Sequence, residues 1–436
     1  MKNCLAVLVM ALVSALPAPA VDRAQLTELN NKARGFAKQQ DWKSMRETLL
    51  EMGRQMPAPT PFYMLRMASV EALLGNRPEA LRWIQRYAAM GLTYDVGADK
   101  DLKPLAEEKG FAEIAAAMQE HAKPLLKAEE VCTLPLPDLM PEDVTFEKSS
   151  GTFITSSIQH HTLYRVLLPK KGEQECGLQE IPLEASAKRW PVMAVSADAK
   201  RNLLWVSTSA MPGFSGFPEA DNGKAALLAV NGSTGKVVRR FDLEASGPAV
   251  LGDMCLAEDG SVYVTDSLGG GVYRVRGDVA TAKLEKIADG LFSPQTPVLA
   301  GDGKRLFVAD YSMGIAVIDL TGKPGGNVEY LRHPENVAVT GLDGLYRGGD
   351  SLLGVQNGTE PERIVRFQLN REQREITSEE VIGQASPVVG EATHAVAVDG
   401  MYYVSANVGW DKVDDHGQLK SGEHFSEPRL LRFPVK

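Results

Sequence analysis

Residues 251–275, LGDMCLAEDGSVYVTDSLGGGVYRV, hold three short β-patterned runs separated by turn signals. Apolar runs at 254–256 and 262–265 flank Glu258-Asp259-Gly260, a turn signal. Gly269-Gly270-Gly271 supply a second tight turn before Val272–Val275. Three strands joined this closely form an antiparallel meander. The stretch is also one unit of a repeat.

An aliphatic-aromatic-Val-x-Asp/polar phrase occurs six times. The copies are Thr152-Phe153-Ile154-Thr155-Ser156, Leu204-Trp205-Val206-Ser207-Thr208, Val262-Tyr263-Val264-Thr265-Asp266, Leu306-Phe307-Val308-Ala309-Asp310, Leu352-Leu353-Gly354-Val355-Gln356 and Tyr402-Tyr403-Val404-Ser405-Ala406. The aromatic position falls at 153, 205, 263, 307, 353 and 403, with gaps of 52, 58, 44, 46 and 50 residues. A period of about 50 residues with about four short strands per unit is that of a propeller blade. Residues 128–436 are therefore predicted to form a six-bladed β-propeller. Its last blade runs out at 430–434, only a third strand. Residues 131–136 are the unassigned strand-like run beside the ring, and are predicted to close it by pairing beside 430–433. Closure removes edges that would otherwise invite aggregation.

Residues 21–125 have helical period instead. Ala33, Phe36, Met45, Leu49 and Pro57 mark the buried positions of one segment, the first four recur 35 residues later as Ala68, Glu71, Ala80 and Ile84, and Gly75-Asn76 breaks the two helices. This resembles tetratricopeptide repeats, with 102–118 as a capping helix. The chain is thus read as multidomain, α then all-β. A short solenoid of this kind binds a protein or peptide partner in its groove. A helical cap packed on the propeller is the other reading.

The chain has 436 residues, 44% hydrophobic and 24% charged, as in an ordinary globular protein. A net charge of −9 without a basic stripe argues against a nucleic-acid partner. Lys2, the apolar run 4–16 and Ala18-Pro19-Ala20 read as a secretory signal over 1–20. The run is too short to span a bilayer, which takes roughly 20 apolar residues. The mature chain is expected to be periplasmic or secreted, with no transmembrane segment. It retains Cys132, Cys176 and Cys255. Cys255 reads as a buried free thiol. Cys132–Cys176 is the one candidate disulfide, with two free thiols as the alternative.

Six positions at the starts of the inner strands are equivalent by repeat: Glu142, Val192, Gly252, Gln295, Asp343 and His394. Oxygen ligands with one imidazole suit a hard divalent ion such as calcium or magnesium. Asp143 and Asp253 lie just inside, and second strands bring Asp266, Asp310, Gln356, Asn357 and Asn407 to the same face. Polar lining of a water-filled channel is the other reading. The insertions 213–224 and 408–428 fall on this face, where Phe214, Trp410 and Asp411 are candidate contacts for a small-molecule ligand. There is no G-x-S-x-G, H-E-x-x-H or phosphate loop.

The phrases Pro141-Glu142-Asp143, Gly252-Asp253-Met254, Ala309-Asp310-Tyr311-Ser312 and Gln356-Asn357-Gly358 resemble the regucalcin/gluconolactonase family of six-bladed propellers. That resemblance implies one divalent cation, calcium first, and a metal-activated water that opens sugar lactones while an acidic residue shuttles the proton. Glu142 matches the family glutamate, Asp343 the aspartate, and Gln295 stands where a ligating asparagine would be. Gln295 is one methylene longer, and Gly252 replaces a second asparagine. His394 has no counterpart, and either completes an altered site or serves as a base. The expected metal set is Glu142, Gln295, Asp343 and His394, with Asp253 or Asp310 as general base. The function expected is an exported metal-dependent lactone or ester hydrolase. The alternative is a non-catalytic binding protein with a degenerate channel.

Overall fold

A computed structural model describes residues 21–184, 190–214, 216–322, 325–326 and 328–436. The signal expected over 1–20 lies outside the described residues. Helices α1 (Arg23–Lys38), α2 (Trp42–Gln55), α3 (Pro61–Leu73) and α4 (Arg77–Ala89) pack as two pairs, α1 with α2 and α3 with α4. Their starts are written in the sequence. Asp22, Asp41 and Thr60 cap the first turns of α1, α2 and α3 through their side-chain oxygens, and Pro61 occupies a position where no N–H is missed. Ala33 and Ala68 are fully buried, which lets the paired helices approach closely. Glu71 stands in the core as well, where it accepts from Arg46 Nε at 2.6 Å and Asn76 Nδ2 at 2.8 Å. A buried carboxylate is tolerated because both oxygens are paired. A fifth helix, α5 (Phe111–His121), packs on α4.

The rest of the described chain forms six antiparallel sheets. Their inner strands are Val144–Glu147, Val192–Asp198, Leu251–Leu256, Pro294–Leu299, Leu342–Gly348 and Ala395–Val398, and each touches the next in cyclic order, the sixth returning to the first. All six copies of the repeated phrase are second strands, and Phe153, Trp205, Tyr263, Phe307 and Leu353 are buried between sheets. Hydroxyls at the ends of these strands tie blades together. Ser156 donates to Met193 C=O at 2.8 Å, Ser207 to Gly252 C=O at 2.7 Å and Ser405 to Pro141 C=O at 2.5 Å.

The ring is closed by Glu129–Thr133, which pairs antiparallel with Arg429–Pro434 in the register Cys132 opposite Leu430. The paired strand begins two residues before the expected run and stops at Thr133, because the chain turns at the Pro135 and Pro137 that follow. Thr133 also bonds into blade one, its N–H to Gln174 C=O at 3.0 Å and its C=O to Cys176 N–H at 2.9 Å. The disulfide Cys132–Cys176, Cα–Cα 5.5 Å, fastens the same junction. One strand was not foreseen: Leu125–Leu126 adds a fifth strand to the outer edge of blade five.

The helices sit directly on the propeller. Arg363, whose side chain is fully buried, donates to Glu379 Oε1 at 3.0 Å, to Gln356 Oε1 at 2.7 Å and to Met90 C=O at 3.0 Å. Thr93 N–H reaches Glu360 C=O at 2.7 Å, and Arg23 donates to Gly269 C=O at 2.8 Å. Ala338 joins the apolar core of α3–α5. The helical region therefore covers blades three to five on the face where the inner strands begin.

Candidate functional site

The inner strands do not run evenly into the channel. Pairing with the second strand slips between Val192 and Val195, Leu251 and Met254, Pro294 and Pro297, and Leu342 and Gly344. Each slip is a bulge, and a bulge re-aims the side chains it carries. Gly252, Asp253, Gln295, Thr296 and Asp343 all lie in these bulges. Positions equivalent by repeat are thus not equivalent in direction, and it is Asp253, not Gly252, that blade three offers to the centre.

Asp253, Asp343 and His394 each offer one ligating atom, and the three lie within 4.8 Å of one another. His394 Nδ1 stands 2.8 Å from Glu142 C=O. A carbonyl only accepts, so Nδ1 carries the proton and the other ring nitrogen faces the carboxylates. Nε2 is 2.8 Å from Asp253 Oδ1, yet no aligned hydrogen bond forms there. A lone pair against a carboxylate oxygen repels. The arrangement is stable with an imidazolium, or with a cation between the nitrogen and the two carboxylates. Burial opposes charge on His394, but the facing Asp253, followed by Tyr346, holds its pKa well above the usual imidazole value. Asp253 Oδ2 accepts from Thr296 Oγ1 at 3.1 Å, and Asp343 Oδ2 from Asn357 Nδ2 at 2.6 Å. Burial pushes Asp343 up to about 6, with His394 acting against it.

The other expected residues are placed differently. Glu142 is buried beside the group but is not one of the three converging ligands; its Oε2 accepts from Trp410 Nε1. Burial and the Asp343 charge hold Glu142 well above the usual carboxylate range. Gln295 donates through Nε2 to Ser293 Oγ at 3.1 Å, and its Oε1 lies 3.9 Å from where a Cβ on Gly252 would stand. A side chain at 252 would therefore meet the amide only at ordinary contact distance. Asp310 is fully buried and accepts from the N–H groups of Phe292 and Ser293, both at 3.0 Å, and from Tyr330 O–H at 2.7 Å. It clamps the loop ahead of its own inner strand, as Asp266 does for Val250, and this placement does not support a role as general base.

Two groups were overlooked in the sequence as positioning residues. Asn357 orients Asp343, and Tyr311 O–H donates to Asn357 Oδ1 at 3.2 Å. Gly358 makes this possible, since a Cβ there would collide with the Tyr311 ring. Tyr346 is the second group: its hydroxyl is buried, and the residue lines the channel with Asp143, Asp253, Thr296 and His394. That channel, about 450 Å³, runs from the cluster towards the far face at Glu258, Leu299 and Arg347. On the near face, Trp410 and Phe214 meet edge to face at 5.9 Å and belong to an apolar lid with Met140, Met193 and Met211. Both loop insertions thus cover the site. Cys255 is a free thiol in the channel wall, and burial pushes it up to about 12.

Acids from blades five and six gather near the site. Burial, then Glu391 and Asp411, pushes Glu362 up to about 8, and burial pushes Glu391 up to about 7. Each folded-state pKa is raised, so the native state holds protons that the unfolded chain has lost. This contribution to stability is complete below the unfolded pKa of about 4.3 and is lost as pH rises through about 8. The melting temperature should fall between pH 5 and pH 8, and Glu362→Gln should flatten the slope. A slope unchanged by the substitution would exclude Glu362 as its source.

The structure therefore defines a six-bladed β-propeller with a helical N-terminal region and a buried Asp–Asp–His cluster in its channel. No protein-family profile and no curated protein matches the chain. Solved structures similar to it include a luciferin-regenerating enzyme, 13% identical, covering 72% of this chain and 99% of that one with a TM-score of 0.47. A virginiamycin B lyase from Staphylococcus aureus is 15% identical over 65% of this chain and 83% of its own, TM-score 0.45. An aldose sugar dehydrogenase from Streptomyces coelicolor, in its PQQ-bound form, is 14% identical over 71% and 98%, TM-score 0.47. Likeness at this level carries no functional weight, and the fold class stands on the six sheets.

Proposed function

We propose that this is an exported, divalent-metal-dependent hydrolase of lactones or related esters, acting in the propeller channel. The observation that carries the reading is the convergence of Asp253, Asp343 and His394 with the outward N–H of the imidazole tied to a backbone carbonyl. Ligating histidines are oriented in this way. One nitrogen and two carboxylates suit a smaller ion such as zinc or manganese better than calcium, which takes 6–8 oxygen ligands. The ion would polarise the acyl carbonyl and lower the pKa of a water. Asp253, Asp343 and His394 would hold it, while Thr296 and Asn357 fix the two carboxylates. Glu142, protonated in its buried setting, would give its proton to the alkoxide as the acyl C–O bond breaks, and would take one back from the water whose oxygen adds to the acyl carbon. Trp410 and Phe214 exclude bulk water.

Export is supported by the pattern over 1–20 and by the disulfide, since such bonds persist in oxidising compartments. The two helix pairs fit the tetratricopeptide reading, and a peptide partner on their exposed side is part of the proposal. Among the described residues no helix is long and apolar enough to cross a membrane. A second reading, a ligand-binding protein without turnover, is favoured by the way Trp410 occupies Glu142. A panel of sugar lactones and aryl esters with zinc, manganese, magnesium and calcium separates the two. Glu142→Gln should lower kcat by at least about 100-fold, the span of general acid catalysis, while metal binding persists. Metal binding without turnover on any substrate would leave the second reading.

A further inference from the structure

Between α1–α3 and the near-face loops of blades four and five lies a cavity of about 340 Å³. It is distinct from the channel. Met52, Met56, Phe62, Phe292 and Met313 make it mainly apolar, and among the described residues Arg66 contributes the one charged side chain to its wall. Arg66 donates through Nη1 to Asn30 Oδ1 at 2.7 Å and lies over the Phe62 ring at 5.7 Å. Among the described residues no carboxylate pairs with it. Burial lowers its pKa, and the charge that acts on it is the like charge of Arg34. A half-buried guanidinium among thioethers and phenyl rings, with a second cation behind it, is a place where an anion gains more than it would in water. Thioethers on unbranched chains adapt to hydrocarbon of varied shape. The opposite wall carries Tyr311, the first member of the Tyr311–Asn357–Asp343 chain.

We propose that this cavity binds a small carboxylic acid with an apolar body, its carboxylate on Arg66 and its hydrocarbon part against Met52, Met56, Phe62 and Met313. The helical region is then half of a binding site, and its place on the near face has a use beyond covering the ring. The inference rests on the cavity alone and holds whether or not the channel is hydrolytic.

Octanoate and its neutral analogue octanamide are the probes, titrated by calorimetry into the full mature chain. Octanoate should bind, and Arg66→Gln, which can keep a bond to Asn30, should weaken it by at least about 10-fold, the worth of a charge-assisted hydrogen bond. Octanamide should be weaker in the native protein and indifferent to that change. Met313→Trp fills the cavity from the propeller side and should abolish both. A thermal melt of each variant shows that the fold is intact, and a zinc titration reads the central cluster separately. No octanoate binding by the native protein at millimolar concentration, or native affinity in either variant, overturns the proposal. Loss of zinc binding in the native protein would instead strike the hydrolase reading and leave this one standing.

Discussion

Asp253→Asn should lower the affinity of the chelator-treated protein for zinc or manganese by more than about 100-fold. Loss of a partner that merely supports a ligand costs about 10–100-fold, and this change removes a ligand's charge. It also leaves His394 Nε2 facing an amide 2.8 Å away instead of a carboxylate. Asp310→Asn is the contrasting change. It should leave metal affinity untouched and lower stability by about 1–3 kcal/mol, because the loop N–H groups and Tyr330 lose a charged acceptor. Calorimetric titration with both ions and thermal melts of both variants give the four readings. If the native protein binds neither ion, or if Asp253→Asn binds as the native chain does, the cluster is not a metal site.

The contrast between these two aspartates shows where sequence reading holds and where it stops. Asp310 ends a copy of the repeated phrase and Asp253 lies near the start of an inner strand, and spacing alone placed both on one face. The period itself was legible because each second strand must present an aromatic or aliphatic residue to the neighbouring sheet, and only six such residues recur at blade spacing. Ring closure was legible for the same reason, since a blade with three strands leaves unpaired backbone groups. The direction of a side chain at the start of an inner strand was not. It depends on a slip in pairing, and at the slip around Gly252-Asp253 the Gly252 C=O accepts from Ser207 O–H of the neighbouring blade, a contact remote in sequence. Support across blades was equally hidden. Thr296 of blade four donates to Asp253 of blade three at 3.1 Å, a contact that spacing does not show. The helical cap was read as an independent solenoid or a cover, and Arg363 settles its position: a cation in the propeller whose acceptors include a helix-end carbonyl at Met90.

The Cys132→Ser/Cys176→Ser double variant should lose about 4 kcal/mol of stability, the chain-entropy value for a loop of this size, given a sequence separation of 44 residues. Over a propeller of roughly 300 residues, at about 2.1 cal/mol/K per residue, that corresponds to a melting temperature lower by about 6 °C. The effect is concentrated at the weakest point of the ring. The first four strands of blades one to five each come from neighbouring segments of chain, with Leu125–Leu126 only added at the outer edge of blade five, whereas the fourth strand of blade six, Glu129–Thr133, comes from the far end of the propeller sequence. Its pairing closes a loop of about 300 residues, and loop closure of that length is opposed by chain entropy. The disulfide ties that strand to blade one at the place where Thr133 already bonds to Gln174 and Cys176, so that the strand is fixed on both sides. Both sulfurs are buried, at 1% residue exposure each, which makes the serine variants a cleaner test than added reductant. Scanning calorimetry of the oxidised native protein beside the double variant reads the difference directly. Equal melting temperatures would mean that backbone pairing alone holds the ring, and that the covalent tie adds nothing to closure.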